Sequence, residues 1–482
     1  MPSRLTPRSL PVVILLAAAL LASCGGNRGL NGNGPPAGGG GQAGAVTLTL
    51  SDPATCGGGA PYTAVYLTIT DIEASPNANA APGDASFVDL TPNLKSAPMQ
   101  INLVGGSSQC TLATLANAVQ ATAQKYAQIR VFLAPDSAAG SISANNCGSY
   151  ANCATATAPG STTLALVPIA VGTAATNGIA ITGAALDGGF TVSSGATTTV
   201  NVNFDICADL APTSGTELTL NPAPSAGAIN AQADTISGTF QDGTTHAPVT
   251  GPVLVALEQN QSGTDRVLMQ TFAAGSGSFQ FCPVPAGNYE VVAGAVSSSG
   301  GQYSPTAVLQ VPNGASMSSP PLPLYAGNGT NGEPATISAT VTSSGSGNTP
   351  VPVAASLTLQ EKVTPSAGAT YSLAIPLPAK SAAVFPLATA TGSTCAAGTA
   401  CVGPLTLQAP ALFVSFGQYA AGAMLIQNNT NVSAAYLLDA QASVLGGAGQ
   451  PDCTPAEVTQ TPGQISPNAN LTAPPLAFTG CQ

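Results

Sequence analysis

From residue 45 onward, apolar side chains return at every second position. Val46, Leu48 and Leu50 share one face of VTLTL, and Val65, Leu67 and Ile69 share one face of AVYLTIT. Ile129, Val131 and Leu133 do the same in IRVFL, as do Val200, Val202 and Phe204 in VNVNF. Successive side chains of a strand point to opposite faces, so period two with threonine in between marks strands buried on one face. Sheets of this kind must cover one another, which predicts an all-β chain of tandem Ig-like β-sandwiches. One stretch departs from the pattern. In TLATLANAVQATAQKY, residues 111–126, Leu112, Leu115, Ala116, Val119 and Ala123 recur at helical spacing. The reading there is a short helix or a loop, ahead of a strand that starts near Tyr126.

The strands are preceded by an export signal. Arg4 and Arg8 lead an apolar run from Pro11 to Leu21, shorter than the ~20 residues that span a bilayer. Ala22 and Ser23 then lead into Cys24 and Gly25. LASC resembles the bacterial lipobox, where a signal peptide (here residues 1–23) is cut just before a lipid-bearing cysteine. The resemblance implies acyl chains, palmitate among them, on Cys24, and a partner in the membrane itself. Gly25, in place of aspartate, implies the outer membrane of a diderm cell envelope, with the domains periplasmic or surface-facing. The other reading is an ordinary secretory signal with an incidental cysteine. Residues 24–44 are glycine-rich and read as a flexible N-terminal tether, with a typical end-to-end distance of about 25 Å.

Charged residues make up only 6% of the chain, yet 44% is hydrophobic, so threonine, serine, asparagine and glutamine must wet the surface. Without the signal, 7 basic residues face 20 acidic ones, a net charge of −13. That balance argues against nucleic acid and against anionic headgroups as partners. Beside Cys24 stand ten cysteines, an even number that suggests disulfides in an exported chain. Cys147 and Cys153 bracket GSYAN, Cys395 and Cys401 bracket AAGTA, and Cys453 with Cys481 would tie down the C-terminal tail. For the remaining four, the favoured pairing is Cys56–Cys110 and Cys207–Cys282. Metal ligation is disfavoured, because there is no CxxC and His246 is the only histidine.

Five segments carry a family resemblance: VTLTLSDPATC, YLTITDIEA, FVDLTPNLKSAPMQINLV, KYAQIRVFLAPDS and FTVSSGATTTVNVNFDICADL. Their order resembles the bacterial lipoprotein family called domain of unknown function 4382, over residues 45–222. Tyr126, Gln128, Ile129 and Arg130, with Phe204, Asp205 and Cys207, are its most distinctive positions. The resemblance implies an exported β-sandwich and brings no activity. Residues 234–313, with GSFQFCPVPAGNYEVV, resemble the carboxypeptidase regulatory-like or transthyretin-like sandwich of the carbohydrate-binding-like fold. Phe279 and Tyr289 then belong to a core, and His246, in the turn DGTTHAP, is a solvated turn residue. Residues 314–334 are rich in Pro, Gly, Ser and Asn and read as a linker. Residues 335–482 return to strands and read as a further sandwich of no recognised family.

Chemistry is hard to find. A nucleophilic triad needs a base beside its serine, and only His246 is available, without a G-x-S-x-G elbow. Asp52, Asp71, Asp89, Asp187 and Asp242 fall at strand ends and turns, with nothing in their spacing to pair them as glycosidase acids. No D-x-D-x-D-G calcium loop is present, and GGGGQAG lacks the lysine of a phosphate loop. With no tryptophan, a sugar platform would fall to tyrosines such as Tyr62, Tyr150, Tyr303 or Tyr419. Tyr150, inside the Cys147–Cys153 loop, is the ligand-binding candidate; the alternative is a packing tyrosine. The expectation is a non-enzymatic, lipid-anchored protein without cofactor, presenting binding or spacer modules. A carbohydrate- or peptide-binding protein, a hydrolase of unrecognised type with its acids clustered in one pocket, and an assembly partner in an outer-membrane complex are the alternatives.

Overall fold

The computed structural model describes residues 43–481 apart from 52–61, 105–109, 158–163, 205, 207–209, 213–217, 221–223, 230–234, 262, 352, 367, 379–387, 391–400, 421–423, 430–431, 445–452 and 456. The signal, Cys24 and the tether up to residue 42 therefore lie outside the described residues. The all-β expectation is met. Strands dominate, and helical turns are short 3-10 segments such as Asp136–Ser141. No helix among the described residues is long and apolar enough to cross a membrane.

The first sandwich contains β1 (Ala43–Ser51), β2 (Tyr62–Ser75), β3 (Ala113–Thr122), β4 (Gln128–Leu133), β5 (Thr197–Asn203) and β6 (Ser225–Ile229). One sheet runs in the order β6-β5-β1-β3, with β1 parallel to β5. The facing sheet is built on the antiparallel pair β2–β4, with Ile179–Thr182 beside β4 and Cys153–Thr157 beside β2. The alternating residues meet between them: Val46, Leu48, Leu50, Val200 and Val202 from one sheet, Val65, Leu67, Ile129 and Val131 from the other. Because β6 completes the first sheet, this sandwich runs past residue 222.

The helix-or-loop expectation for residues 111–126 is wrong. Ala113–Thr122 is a strand antiparallel to β1. Its register slips twice, between Val46 and Leu48 and between Leu48 and Thr49. Ala118 there takes a positive φ of 51°, and its N–H bonds to the Thr47 hydroxyl at 3.2 Å. An extra residue in a strand converts a spacing of two into a spacing of three, so the bulge imitates a helical pattern.

The middle sandwich follows: β7 (Ile236–Asp242), β8 (Val253–Gln261), β9 (Thr264–Phe272), β10 (Ser278–Phe281), β11 (Asn288–Ala295), β12 (Thr306–Pro312) and β13 (Ser316–Ala326). Its four-stranded sheet has the order β10-β7-β13, closed by Tyr303–Ser304. Phe279 stacks on Phe240 with ring centroids 5.1 Å apart, and Tyr289 is buried, so both expected core residues are core residues. Residues 314–334 are not a linker. They supply β13, which runs parallel to β7 and buries Met317, Leu322 and Leu324. Prolines are tolerated because the far side of β13 pairs only at Tyr325 and Ala326, leaving few ladder donors to lose.

The C-terminal region holds β14 (Ala335–Ser343), β15 (Val353–Val363), β16 (Tyr371–Ile375), β17 (Cys401–Ala409), β18 (Ser415–Gln418), β19 (Ala434–Val444) and β20 (Glu457–Ile465). One sheet pairs β17 with β14, and the other has the order β16-β15-β19-β20. It is not a separate domain. β18 adds in parallel to β12, extending the middle sheet to β9-β8-β11-β12-β18. That sheet is covered on both faces. Val255, Leu257, Val291, Ala293 and Val308 face the middle core, while Val292, Ala307 and Leu309 join Leu357, Leu359 and Leu373 in the C-terminal core.

Disulfides join Cys147 to Cys153 and Cys453 to Cys481, as the spacing suggested. The favoured pairing of the remaining cysteines is wrong in both halves, because Cys110 bonds to Cys282. Chain order is a poor guide here: the packing of the first and middle sandwiches brings residues 172 apart to one place. Cys401 is disulfide-bonded. Cys56, Cys207 and Cys395 lie outside the described residues.

Candidate functional site

Charged residues are few, so where they gather is informative. One group sits on the outer face of the β2–β4 pair, under the segment that joins β2 to residue 99. Lys95 reaches Asp71 at 3.0 Å, Asp89 at 2.9 Å and Glu73 at 3.5 Å. Thr91 donates its hydroxyl to Asp71 at 3.2 Å. Burial, with the nearby Asp89 and Glu73, overrides Lys95 and pushes the Asp71 carboxyl up to about 6. Asp89 in turn holds the Lys95 ammonium above the ordinary lysine value.

Arg130 lies beside this group, opposite Glu73 in the β2–β4 register. It is buried and spends its guanidinium on backbone: Nη1 donates to the Asn177 carbonyl at 2.6 Å and Nη2 to the Ala80 carbonyl at 3.0 Å. Its carbon Cζ stands 5.6 Å from the centre of the Phe87 ring. Nε of Arg130 and Oε1 of Gln128 are buried without a hydrogen-bond partner. Tyr126 stacks on Phe190 at 5.2 Å and donates to the Thr122 carbonyl. The distinctive Tyr126–Arg130 stretch thus holds a core and pins the covering segment. Phe204 is likewise buried, while Asp205 lies outside the described residues.

Tyr150, the ligand-binding candidate, is half-buried. The Cys147–Cys153 loop is clamped by Gln100 and Asn145. Gln100 Nε2 donates to Asn145 Oδ1 at 2.9 Å, and Asn145 Nδ2 donates to the Tyr150 carbonyl at 2.9 Å. A side-chain amide on a short strand (Gln100) and one in a loop (Asn145) leave no signal in hydrophobic periodicity, so this network was not legible in the sequence. His246 is exposed in its turn with φ 57°, and Asp242 accepts N–H bonds from Thr244 and Thr245. Among the described residues no group of three or more His, Cys, Asp or Glu could hold a metal ion.

A cleft of about 330 Å³ opens on the middle sandwich, lined by Ser297, Ser299, Gln302, Tyr303, Gly327 and Glu333. Two turns form it, tied by Gln302 N–H donating to the Gly332 carbonyl at 2.7 Å. Tyr303 donates its hydroxyl to Asp242 at 3.2 Å, and burial together with that carboxylate raises its pKa to about 12. The lining offers hydroxyls, an amide, a carboxylate and one aromatic edge, suited to holding a small polar ligand. Of the tyrosines considered from sequence, only Tyr303 lines this cleft.

Residues 43–222 match the profile of the family described as "Domain of unknown function (DUF4382)". No curated protein matches the sequence. Among solved structures, the chain is similar to the Bacillus anthracis TIE protein at 9% identity and a TM-score of 0.15, covering 91% of this chain and 50% of that one. It therefore spans about half the length of that protein. It is also similar to the minor pilin of Streptococcus agalactiae (10% identity, TM-score 0.17, covering 51% and 95% of the two chains). A putative adhesin from Bacteroides ovatus follows at 11% identity and TM-score 0.15, with 50% and 89% covered. The β-sandwich architecture rests on the strand pairing described above.

Proposed function

We propose that this protein is a non-enzymatic, lipid-anchored spacer of the bacterial cell envelope, which presents loops of its sandwiches away from the membrane. Cys24 carries the lipid, the glycine-rich tether follows it, and the outer membrane is the site of anchorage. The observation that carries the reading is how the sandwiches are joined. Cys110–Cys282 fastens the first to the middle one, and β18 makes the middle and C-terminal sandwiches share a sheet. Modules that only needed to bind independently would gain nothing from a cross-link and a shared sheet; a spacer gains a fixed orientation. The sequence of residues 278–295 suggests a hairpin, but β10 and β11 lie in facing sheets, and the Pro285-Ala286-Gly287 turn carries the chain from one sheet of the middle sandwich to the other.

Membrane fractionation of cells expressing the full chain, beside Cys24→Ala, tests the anchor. Wild type is expected in the membrane fraction and Cys24→Ala in the soluble fraction; membrane retention of the variant overturns the reading. A second reading, favoured by the 330 Å³ polar cleft, is glycan binding there. A glycan array with wild type beside Glu333→Ala tests it, with signal lost in the variant as the expected outcome.

A further inference from the structure

The sheet shared by the middle and C-terminal sandwiches carries a second gathering of charge. Glu258 on β8 and Glu290 on β11 stand directly opposite each other in register, on the face turned to the C-terminal region. Asp265 on β9 stands opposite Asn260, one alternate position along β8 from Glu258. These three carboxyl residues are 0%, 3% and 1% exposed. Each has one oxygen without a hydrogen-bond partner: Oε1 of Glu258, Oε2 of Glu290 and Oδ2 of Asp265.

Their other oxygens meet a specific need. β16 is the outermost strand of its sheet, so alternate backbone N–H groups on its open side lack a ladder partner. Ala374 N–H donates to Glu258 Oε2 at 2.9 Å, and Ser372 N–H donates to Asp265. The two carboxyls thus dock an open strand edge onto the neighbouring sheet.

Among the described residues nothing cationic balances the group. Arg266, next along β9, is committed to Asp439 and Glu457. Lys362 of β15 is exposed, and Glu361 accepts the Val414 N–H. From β16 the only titratable group is Tyr371, itself raised by burial and by Glu290 and Asp265. Three buried carboxylates without a counter-ion are too costly to coexist in a low-dielectric interface. A protonated carboxyl keeps its carbonyl oxygen as acceptor for the strand, and its unpartnered oxygen can carry the proton.

We propose that this interface is a proton-held latch: β16 stays docked on β8, β9 and β11 while the carboxyl group retains bound protons, and loosens when they ionise. Burial and like-charge neighbours push Glu290 up to about 8 and raise Glu258, and burial raises Asp265. The docked form therefore binds more protons than the undocked form, and docking weakens as pH rises through that range.

Hydrogen–deuterium exchange on the full chain tests the latch, with rates corrected for intrinsic pH dependence. Between about pH 5 and about pH 9, protection of amides 371–375 is expected to fall by about tenfold or more, the size of one unit of proton linkage. Amides of β5 in the first sandwich are expected to keep theirs. Glu290→Gln, which mimics the protonated side chain, is expected to flatten the fall, and Glu258→Gln to do the same. Wild-type protection of 371–375 that is independent of pH overturns the proposal whatever the variants do. So does a Glu290→Gln or Glu258→Gln protein that folds and keeps the full wild-type fall.

Discussion

Arg130 shows what a chain with few charges does with one of them. Its guanidinium leaves water with no carboxylate among the described residues at hydrogen-bond distance, and two backbone carbonyls and the face of Phe87 offset part of that cost. Those bonds hold Ala80 and Asn177, one on each covering segment, against the β2–β4 sheet. Arg130→Ala is expected to cost about 3 kcal/mol, because a cavity opens and two carbonyls lose their donors. Chemical denaturation would show this as a lower midpoint with an unchanged slope. Arg130→Lys is expected to recover little, since one ammonium cannot reproduce a planar fork aimed at two carbonyls. A wild-type midpoint in Arg130→Ala would mean that the covering segment is held by Lys95 and packing alone.

At the scale of elements, two strands are set by glycine and alanine in the left-handed region. Gly277 has φ 82°, and a Cβ there would run into the Phe240 carbonyl. Gly277→Ala is therefore expected to destabilise the β7–β10 pair by more than about 2 kcal/mol, read as a fall in melting temperature. Ala118 sits in the β3 bulge with φ 51°, so Ala118→Gly is expected to raise stability by up to about 1 kcal/mol, and Ala118→Val to lower it. The same bulge explains what the sequence hid. The regular strands were legible because each buries one face and keeps strict alternation, as Val46, Leu48 and Leu50 do. β3 was not, because an inserted residue breaks the period. β13 was not, because proline density suggests a linker unless the strand is known to lie near an edge. The shared sheet was legible only in part: the alternation of Tyr289, Val291 and Ala293 marks one buried face, but burial of Val292 needs a partner that strand periodicity does not name. The charge groups were invisible for a simpler reason, since their members lie on different strands, and Glu258 and Glu290 meet only through register.

At the scale of the whole molecule, acid strengthens the fold. Burial lifts Glu290 and Glu361 to about 8 and Asp71 to about 6, all above their unfolded values near 4. The folded chain binds more protons than the unfolded chain over that window, so this contribution is full below about pH 4 and is lost as pH rises from there to about 8. Melting temperatures measured across that range are expected to fall monotonically, and a maximum above about pH 8 would contradict the burial of these groups. How the sandwiches share that stability depends on their joints. The middle and C-terminal parts have a common sheet and are expected to unfold together. The first sandwich touches the middle one through thinner contacts: Ser225 Oγ to the Leu268 carbonyl at 3.2 Å, Gln259 Nε2 to Asp187 at 3.2 Å, and Gly227 against Pro285. Its strong tie is the disulfide, which closes a separation of 172 residues and on chain entropy alone restricts the unfolded state by about 5 kcal/mol. Cys110→Ser with Cys282→Ser is therefore expected to split one calorimetric transition into two, the first sandwich melting at a lower temperature. A single transition shifted by a few degrees would instead mean that the polar contacts around Leu268 suffice to couple the sandwiches, and that the disulfide contributes stability without fixing orientation.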